Sequence, residues 1–154
     1  MQTNKPIKRN EFLAPLSREH HQALLLCWKI KTGFAKGIEV QRIKKYCDWF
    51  YNTHLIQHFE LEEKFVFPIL GNLHQHVQDA LAQHSLLRAL FNDTTNTETA
   101  LQKIQTELEK HIRFEERILF NEVQDIATPQ QLESIQNIHK EEAFCENDSD
   151  AFWK

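Results

Sequence analysis

Apolar residues recur at steps of three and four along most of this chain, the spacing that places side chains on one face of an α-helix. Residues that favour turns and helix caps divide the pattern into five segments. The first predicted helix begins at a Ser17 cap and is interrupted by Gly33 and Gly37, and the second runs from about Ile38 to Leu70, with Pro68 bending or ending it and Gly71 as its stop. The third begins near Asn72 and ends at the loop-like stretch FNDTTNT. The fourth runs from a Thr95–Glu98 capping box to about Gln124, and the fifth from a Thr128–Gln131 capping box to about Phe144.

These segments predict an all-α protein, since no stretch alternates apolar and polar residues as a strand does. Short connections between four long amphipathic helices imply antiparallel neighbours, and hence an up-down-up-down four-helix bundle. We expect one domain over residues 1–154, with a core bundle over about 13–125, a short additional C-terminal helix over about 129–144 and an irregular tail over 145–154. The fifth helix is expected to pack against the bundle; a dimer contact is the alternative.

Composition adds limits on partners and location. The chain has 154 residues, 41% of them hydrophobic, which is enough for one globular core. A net charge of -4 gives no electrostatic reason to expect nucleic acid or an anionic membrane. The three cysteines form no CxxC pair, and no apolar stretch is long enough for a signal or a membrane span. We therefore expect a cytoplasmic protein that is a monomer or a weak dimer.

One sequence pattern occurs twice. HFELEEKFVFP begins at His58 and HIRFEERILFN begins at His111, and the two match at the histidine, at two consecutive glutamates and at a later phenylalanine. A weaker echo links EHHQALLL to QHSLLRAL and pairs His20 with His84. The first two helices therefore resemble a copy of the next two, related by an approximate twofold axis. Each half then supplies one histidine and one His-x-x-x-Glu.

In each of the four helices a residue that can bind metal replaces an apolar residue of the inward face. Within each His-x-x-x-Glu, the spacing of four places both side chains on one face of the helix. The predicted inward faces are Leu13, Leu16, His20, Leu24 (or Ala23) and Cys27; Tyr51, Leu55, His58, Glu62, Phe65 and Ile69; Val77, Leu81, His84, Leu87 and Phe91; and Ile104, Leu108, His111, Glu115 and Ile118.

A metal centre explains this set better than a core of ordinary polar residues does. One histidine on an apolar face is usually a core residue with a hydrogen-bond partner. Four histidines and two glutamates at matching depths would be costly to bury without a cation. Imidazole and carboxylate donors without thiolate suit a first-row metal such as iron, and two half-sites suit a pair of ions.

The chain at this point resembles the hemerythrin-like, or HHE cation-binding, domain family. The resemblance covers roughly Leu16 to Val123 and depends on REHH, HFELEEKFVFP, QHSLL and HIRFEERILF. It implies a four-helix bundle around a centre of two non-haem iron ions with a bridging oxide or hydroxide. By the same resemblance, His20, His58, His84 and His111 are terminal ligands of the metals, and Glu62 and Glu115 are the bridges.

The chain departs from the oxygen-carrying members, which have five histidine ligands and an Asp as the last bridge. The residues four before and four after His84 are Ala80 and Arg88, and the last bridge is Glu115. His54, one turn before His58, is a possible fifth ligand. His21 is the alternate to His20 if the first helix is rotated. We expect four terminal histidines, with His54 near the centre but not bound to metal.

The resemblance leaves three functions open. The first is reversible binding of O2 or NO, for sensing, delivery or protection against oxidative or nitrosative stress. The second is an enzyme that reduces peroxide or NO, or a protein that supplies iron for the repair of iron centres. The third is a structural helical module for protein interactions, with a structural metal or without metal.

Overall fold

The computed structural model describes residues 8–139 and 143–154, and within these ranges it contains helices and no strand. The predicted all-α bundle with an added C-terminal helix is confirmed. No helix within the described ranges combines the length and the apolar character that crossing a membrane requires. The helices are α1, Ala14–Ala35; α2, residues 40–70; α3, Gln75–Phe91; α4, residues 97–126; and α5, Pro129–Ile138.

Helices α2 and α4 are interrupted by π-helical turns. A π turn holds an extra residue, so the side chains beyond it are rotated relative to a regular α-helix. Two of these turns begin at Glu62 and Glu115. The segments of α2 are Val40–Phe50, the π turn Tyr51–Leu55, Ile56–Leu61, the π turn Glu62–Val66 and Phe67–Leu70; those of α4 are Thr97–Phe114, the π turn Glu115–Leu119 and Phe120–Ile126.

The π turns correct the predicted inward faces. Ile118, expected inside, is 40% exposed, and Leu119 is fully buried in its place. On α2, Val66 is fully buried where Phe65 was expected, and Phe65 is only partly buried. The sequence alone favours the regular spacing of three and four, which the extra residue of each π turn breaks.

Two predicted helix starts are wrong. Helix α1 begins at Ala14 because the backbone carbonyl of Asn10 accepts hydrogen bonds from the N–H groups of Leu13 and Ala14, at 3.0 and 2.9 Å. Ser17 lies inside the helix. Helix α4 begins at Thr97, with no Thr95–Glu98 capping box. The carboxylate of Asp93 accepts the backbone N–H groups of Thr95 and Asn96 instead, at 2.8 and 3.0 Å.

Two predicted helix ends also need correction, while one capping box is confirmed. Helix α1 continues through Gly33 to Ala35, and Gly37 follows with a φ of 70°. The Thr128–Gln131 capping box opens α5 as predicted. Helix α5 stops at Ile138 rather than near Phe144, because His139 turns to extended backbone and its ring lies 3.1 Å from Glu19. The predicted continuation across 140–142 lies outside the described residues.

The buried apolar side chains form two clusters, one towards each end of the bundle. One cluster includes Leu26, Ile43, Phe91 and Ile104, and the other includes Leu16, Phe67, Val77 and Phe120. Leu132 and Ile135 of α5 belong to the second cluster, so this helix packs against the bundle as expected. The segment of each long helix between the two clusters carries the candidate metal ligands.

The tail over residues 143–154 is irregular, but it packs against the bundle. Its Phe152 and Trp153 are buried in the first cluster. A Cβ atom added at Gly33 would lie 2.8 Å from side-chain atoms of both Phe152 and Ile43, so the glycine makes room for the tail. Glu146 pairs with the buried Lys29 at 2.5 Å. Burial of two aromatic residues fixes the tail to α1 and α2.

Candidate metal centre

The middle of the bundle holds six buried side chains that can bind metal. They come from four helices, and each interrupts an apolar face of its own helix. The structure therefore brings together all six residues named by the sequence, whose role as ligands stays a prediction. The six are His20 on α1, His58 and Glu62 on α2, His84 on α3, and His111 and Glu115 on α4.

Glu62 lies between the two halves of the site. Its Oε2 is 3.3 Å from Nε2 of His58 and 3.7 Å from Nε2 of His20. Its Oε1 is 3.1 Å from Nε2 of His84. The two oxygens of one carboxylate therefore face histidines of opposite halves, as a bridging ligand requires.

Glu115 also lies close to histidines of both halves, and its Oε1 makes the shorter contacts. Its Oε1 lies 3.0 Å from Nε2 of His20 and 3.2 Å from Nε2 of His111, and its Oε2 is 4.0 Å from His84. Two sets of four candidate ligand atoms result, each with its atoms within 4.8 Å of one another. Both carboxylates belong to both sets, which are His20, His58, Glu62 and Glu115; and Glu62, His84, His111 and Glu115.

Each of the four rings turns its other nitrogen to an acceptor outside the centre. Three of the acceptors are carboxylates and the fourth is an amide oxygen, and since neither group donates through these oxygens when the carboxylates are ionised, Nδ1 donates in all four pairs. A neutral ring that carries its proton on Nδ1 has a lone pair on Nε2, aimed at the centre. The pairs are His20 with Glu116 at 2.8 Å, His58 with Glu19 at 2.7 Å, His84 with Glu63 at 2.6 Å and His111 with Gln83 at 2.6 Å.

The side-chain oxygen and nitrogen atoms that face the centre have close neighbours but few hydrogen bonds. All four oxygens of Glu62 and Glu115, and Nε2 of His84 and His111, are buried without a hydrogen-bond partner among the described residues. The Nε2 atoms of His20 and His58 lie 3.0 Å apart. Lone pairs that face one another in a buried site are unfavourable unless positive charge lies between them. The donor set therefore fits a metal cation.

Protons would supply that positive charge when no cation is bound. Burial lowers the pKa of His58, but the charge of Glu62 and the contact with Glu19 outweigh it and raise the pKa to about 9. Burial raises the pKa of Glu62, yet His58 and the neighbouring rings hold it well below its usual range. The site thus binds either protons or a cation, and the two compete.

Phenylalanine rings close the ends of the site. Phe59 stacks on His84 with ring centres 3.9 Å apart, and Phe67 packs on the same histidine at 5.3 Å. Phe120 stacks on His20 at 5.2 Å. Phe67 and Phe120 are the repeated phenylalanines of the two matching segments. These rings keep water away from the polar atoms and raise the strength of their electrostatic interactions.

A cavity of about 200 Å³ opens beside the centre. It is bordered by His20, His58 and His111, and its other walls combine apolar side chains such as Phe50 with polar ones such as Glu19. Phe144 of the tail lies on its wall as well. His84 does not border this cavity, so the cavity meets three of the four histidines although the ligand set is nearly symmetric.

The two alternative histidines do not join the centre. His21 is exposed and points away from the carboxylates. His54 is partly buried on the cavity wall, with its ring 5.1–5.4 Å from those of Phe50, Trp49 and Phe144. Neither belongs to the two sets of candidate ligands among the described residues. Ala80, four residues before His84, is fully buried.

Glu19 and Gln83 are the polar residues that sequence reasoning missed. Each precedes a candidate ligand, as EHH and QHS, so the weaker of the two sequence echoes already contained the signal. Their side chains lie on the flank of the helix and not on its inward face, which is why the apolar pattern did not select them.

A third group of metal-binding residue types lies elsewhere, at the start of α3. His74, His76 and Glu122 are half-buried and close together. The Nδ1 of His74 accepts the backbone N–H of His76 at 3.1 Å and so caps the helix. Its proton must then be on Nε2, which faces Glu122 at 3.1 Å. That nitrogen has no lone pair for a metal, so we assign this group to helix capping.

The fold and the buried centre define a helical bundle whose buried histidines and glutamates fit a site for metal cations. The model of the Hemerythrin HHE cation binding domain family matches residues 11–123, which is most of the chain. The chain belongs to this family. Comparisons with curated proteins and with solved structures return no match.

Proposed function

We propose that this protein holds two non-haem iron ions at the centre and uses them to bind O2 or NO. In this proposal one ion is held by His20 and His58 and the other by His84 and His111, with Glu62 and Glu115 between them. Binding of this kind serves sensing, delivery or protection against oxidative or nitrosative stress.

The observation that carries the proposal is the convergence of buried donor atoms from four helices, six of which have no hydrogen-bond partner among the described residues. Imidazole and carboxylate without thiolate is the donor set of non-haem iron, and two overlapping sets of four donors match two ions. Bound iron supplies the affinity for a diatomic ligand. The chain supplies the positions of the donors and the phenylalanine rings that pack on His20 and His84.

The count of donors leaves room for such a ligand. About six positions on each ion make twelve in all. Four histidines, two bridging carboxylates and a bridging oxide or hydroxide fill ten of about twelve, which leaves one position on each ion. His20, His58 and His111 border the cavity, so a small molecule in the cavity reaches both halves. We expect a reactive site that autoxidises quickly.

One observation favours the enzyme as a second candidate. A cavity of about 200 Å³ is larger than one diatomic molecule requires, since a water molecule occupies roughly 30 Å³ in the liquid. Two NO molecules or one peroxide would fit beside the two halves together. Repeated additions of NO or peroxide would separate the candidates, because an enzyme consumes them and a binding protein is saturated.

The test is metal analysis and spectroscopy of protein purified without oxygen. We expect about two iron ions per chain, and a visible spectrum that changes on addition of O2 or NO. The control is Glu62→Gln with Glu115→Gln, which keeps the shape of the centre and removes the charges that balance the ions. One zinc ion per chain, or no metal, would contradict the proposal and favour a structural module.

A further inference from the structure

The outer partners of the four histidines follow the approximate twofold axis with one exception. His20 and His84 are equivalent, and both donate to the second glutamate of a Glu-Glu pair, Glu116 and Glu63. His58 and His111 are equivalent as well. Their outer partners occupy equivalent positions in the sequence, but one is the carboxylate of Glu19 and the other is the side-chain amide of Gln83.

The two exceptional pairs have nearly the same geometry. The distance from Nδ1 to the acceptor oxygen is 2.7 Å for His58 and Glu19, and 2.6 Å for His111 and Gln83. The other oxygen of Glu19 lies 3.1 Å from Nε2 of His139. The difference between the halves is therefore one of charge and not of distance.

An acceptor's charge alters the ring that donates to it. A carboxylate attracts the Nδ1 proton more strongly than a neutral amide oxygen does, and the ring's Nε2 becomes a better donor to a cation. In the half with His20 and His58, both rings have carboxylate partners. In the half with His84 and His111, only one ring has such a partner.

We infer that Glu19 and Gln83 are positioning residues that make the two metal positions unequal, with the tighter position at His20 and His58. The inference rests on the proposed pair of ions. Partners outside the ligand set typically change metal affinity by about 10- to 100-fold, and we expect a difference in this range.

The chain offers its own matched controls, because Glu and Gln have the same shape. Glu19→Gln gives both halves one carboxylate and one amide, and Gln83→Glu gives both halves two carboxylates. The double variant Glu19→Gln with Gln83→Glu moves the difference to the other half. Glu60→Gln removes one carboxylate from the exposed face of α2 and controls for the change in total charge.

The experiment is a ferrous titration of metal-free protein without oxygen, against a competing chelator. We expect two binding steps in the parent protein and in Glu60→Gln. Glu19→Gln should weaken the tighter step by about tenfold or more, and Gln83→Glu should strengthen the weaker step by a similar factor. The steps should therefore converge in both single variants and separate again in the double variant.

A spectroscopic measurement distinguishes this inference from a purely structural role. The Mössbauer spectrum of the fully loaded ferrous protein should show two iron environments in the parent and the double variant, and more similar environments in each single variant. If two ions bind but neither the binding steps nor the spectra change in the variants at Glu19 and Gln83, the inference is overturned and the proposed function stands. A single binding step for one ion would overturn both.

Discussion

At the scale of the residue, the centre depends on which nitrogen of each ring carries the proton. The acceptors around the outer nitrogens direct four lone pairs inwards, towards two carboxylates that have no hydrogen-bond partner in the part of the chain that the structure describes. Any change that removes one of these lone pairs weakens the binding of the cation, and a buried carboxylate then has less positive charge to compensate it. Loss of a ligand should therefore affect both metal content and stability.

His20 and His21 give a matched pair of substitutions. Replacement of His20 by Ala should remove most of the bound iron and lower the free energy of unfolding, because Glu115 loses a ring 3.0 Å from its oxygen. Replacement of the exposed neighbour His21 by Ala should change neither. Metal analysis and chemical denaturation measure the two effects. Equal losses of iron in both variants would show that the rotation of α1 is wrong.

The metal-free protein should lose stability at alkaline pH. A raised pKa means that the folded protein keeps a proton which the unfolded chain has released. The contribution of His58 is therefore complete below its usual pKa of 6.5 and is lost as the pH rises through about 9. Glu62 has the opposite sign, since its lowered pKa stabilises the fold above its usual 4.5 and less at lower pH. The metal-free protein should therefore be most stable between about pH 4.5 and pH 6.5.

Iron should reverse the effect on the alkaline side, because a cation replaces the protons and binds more tightly as they leave. Urea denaturation at about pH 5.5 and about pH 8.5, with and without iron, measures this. A metal-free protein that is equally stable at both values would contradict the assignment of the protonated rings.

The inward ligand types could be predicted from the sequence because they stand out against an apolar face. Two of the outer partners could not. Glu19 and Gln83 look like ordinary polar residues of a solvated helix flank, and only the packing of α1 on α2 and of α3 on α4 brings them to His58 and His111.

At the scale of the element, the π turns at Glu62 and Glu115 decide which residues follow the ligands into the core. Apolar residues stand at both candidate positions, Ile118 and Leu119, so the sequence pattern does not choose between them. Turns of this kind are frequent at functional sites. The repeated segments share the turn as well as the ligands, which explains why the same departure from the predicted face occurs twice.

Substitutions at the second of these turns test the rotation. Leu119→Ala should lower the free energy of unfolding by about 2–5 kcal/mol, the usual cost of a cavity at a fully buried leucine. Ile118→Ala should cost much less, since this side chain is 40% exposed. Thermal or urea denaturation compares the two variants. A larger loss of stability in Ile118→Ala than in Leu119→Ala would show that the helix keeps the regular spacing that the sequence favours.

At the scale of the whole molecule, the centre lies between two apolar clusters, and the tail completes the cluster on the side of the cavity. Helix periodicity predicted the bundle, but the tail has no periodicity from which its burial could be read. Phe152 and Trp153 pack against residues more than a hundred positions earlier in the chain, around Gly33 and Ile43. Such contacts follow from the folded shape alone.

The anchored tail also places Phe144 on the wall of the cavity, against the rings of Phe50 and His54. Phe144 is only partly buried, so its removal should cost less stability than removal of Phe152, for which about 3–5 kcal/mol is usual. If the cavity is the route to the centre, Phe144→Ala should make that route wider. The rate at which NO binds to the ferrous protein should then rise several-fold, while the iron content stays unchanged.

The control for this effect is Trp28→Ala, which removes an aromatic side chain that is 52% exposed on α1 and that does not line the cavity. Stopped-flow mixing of NO with the parent protein and the two variants gives the rates. Association limited by passage through a cavity responds to the size of its opening, whereas association limited by the metal does not. An unchanged rate in Phe144→Ala, with the iron still bound, would mean that ligands reach the centre by another path and that the tail serves only the stability of the fold.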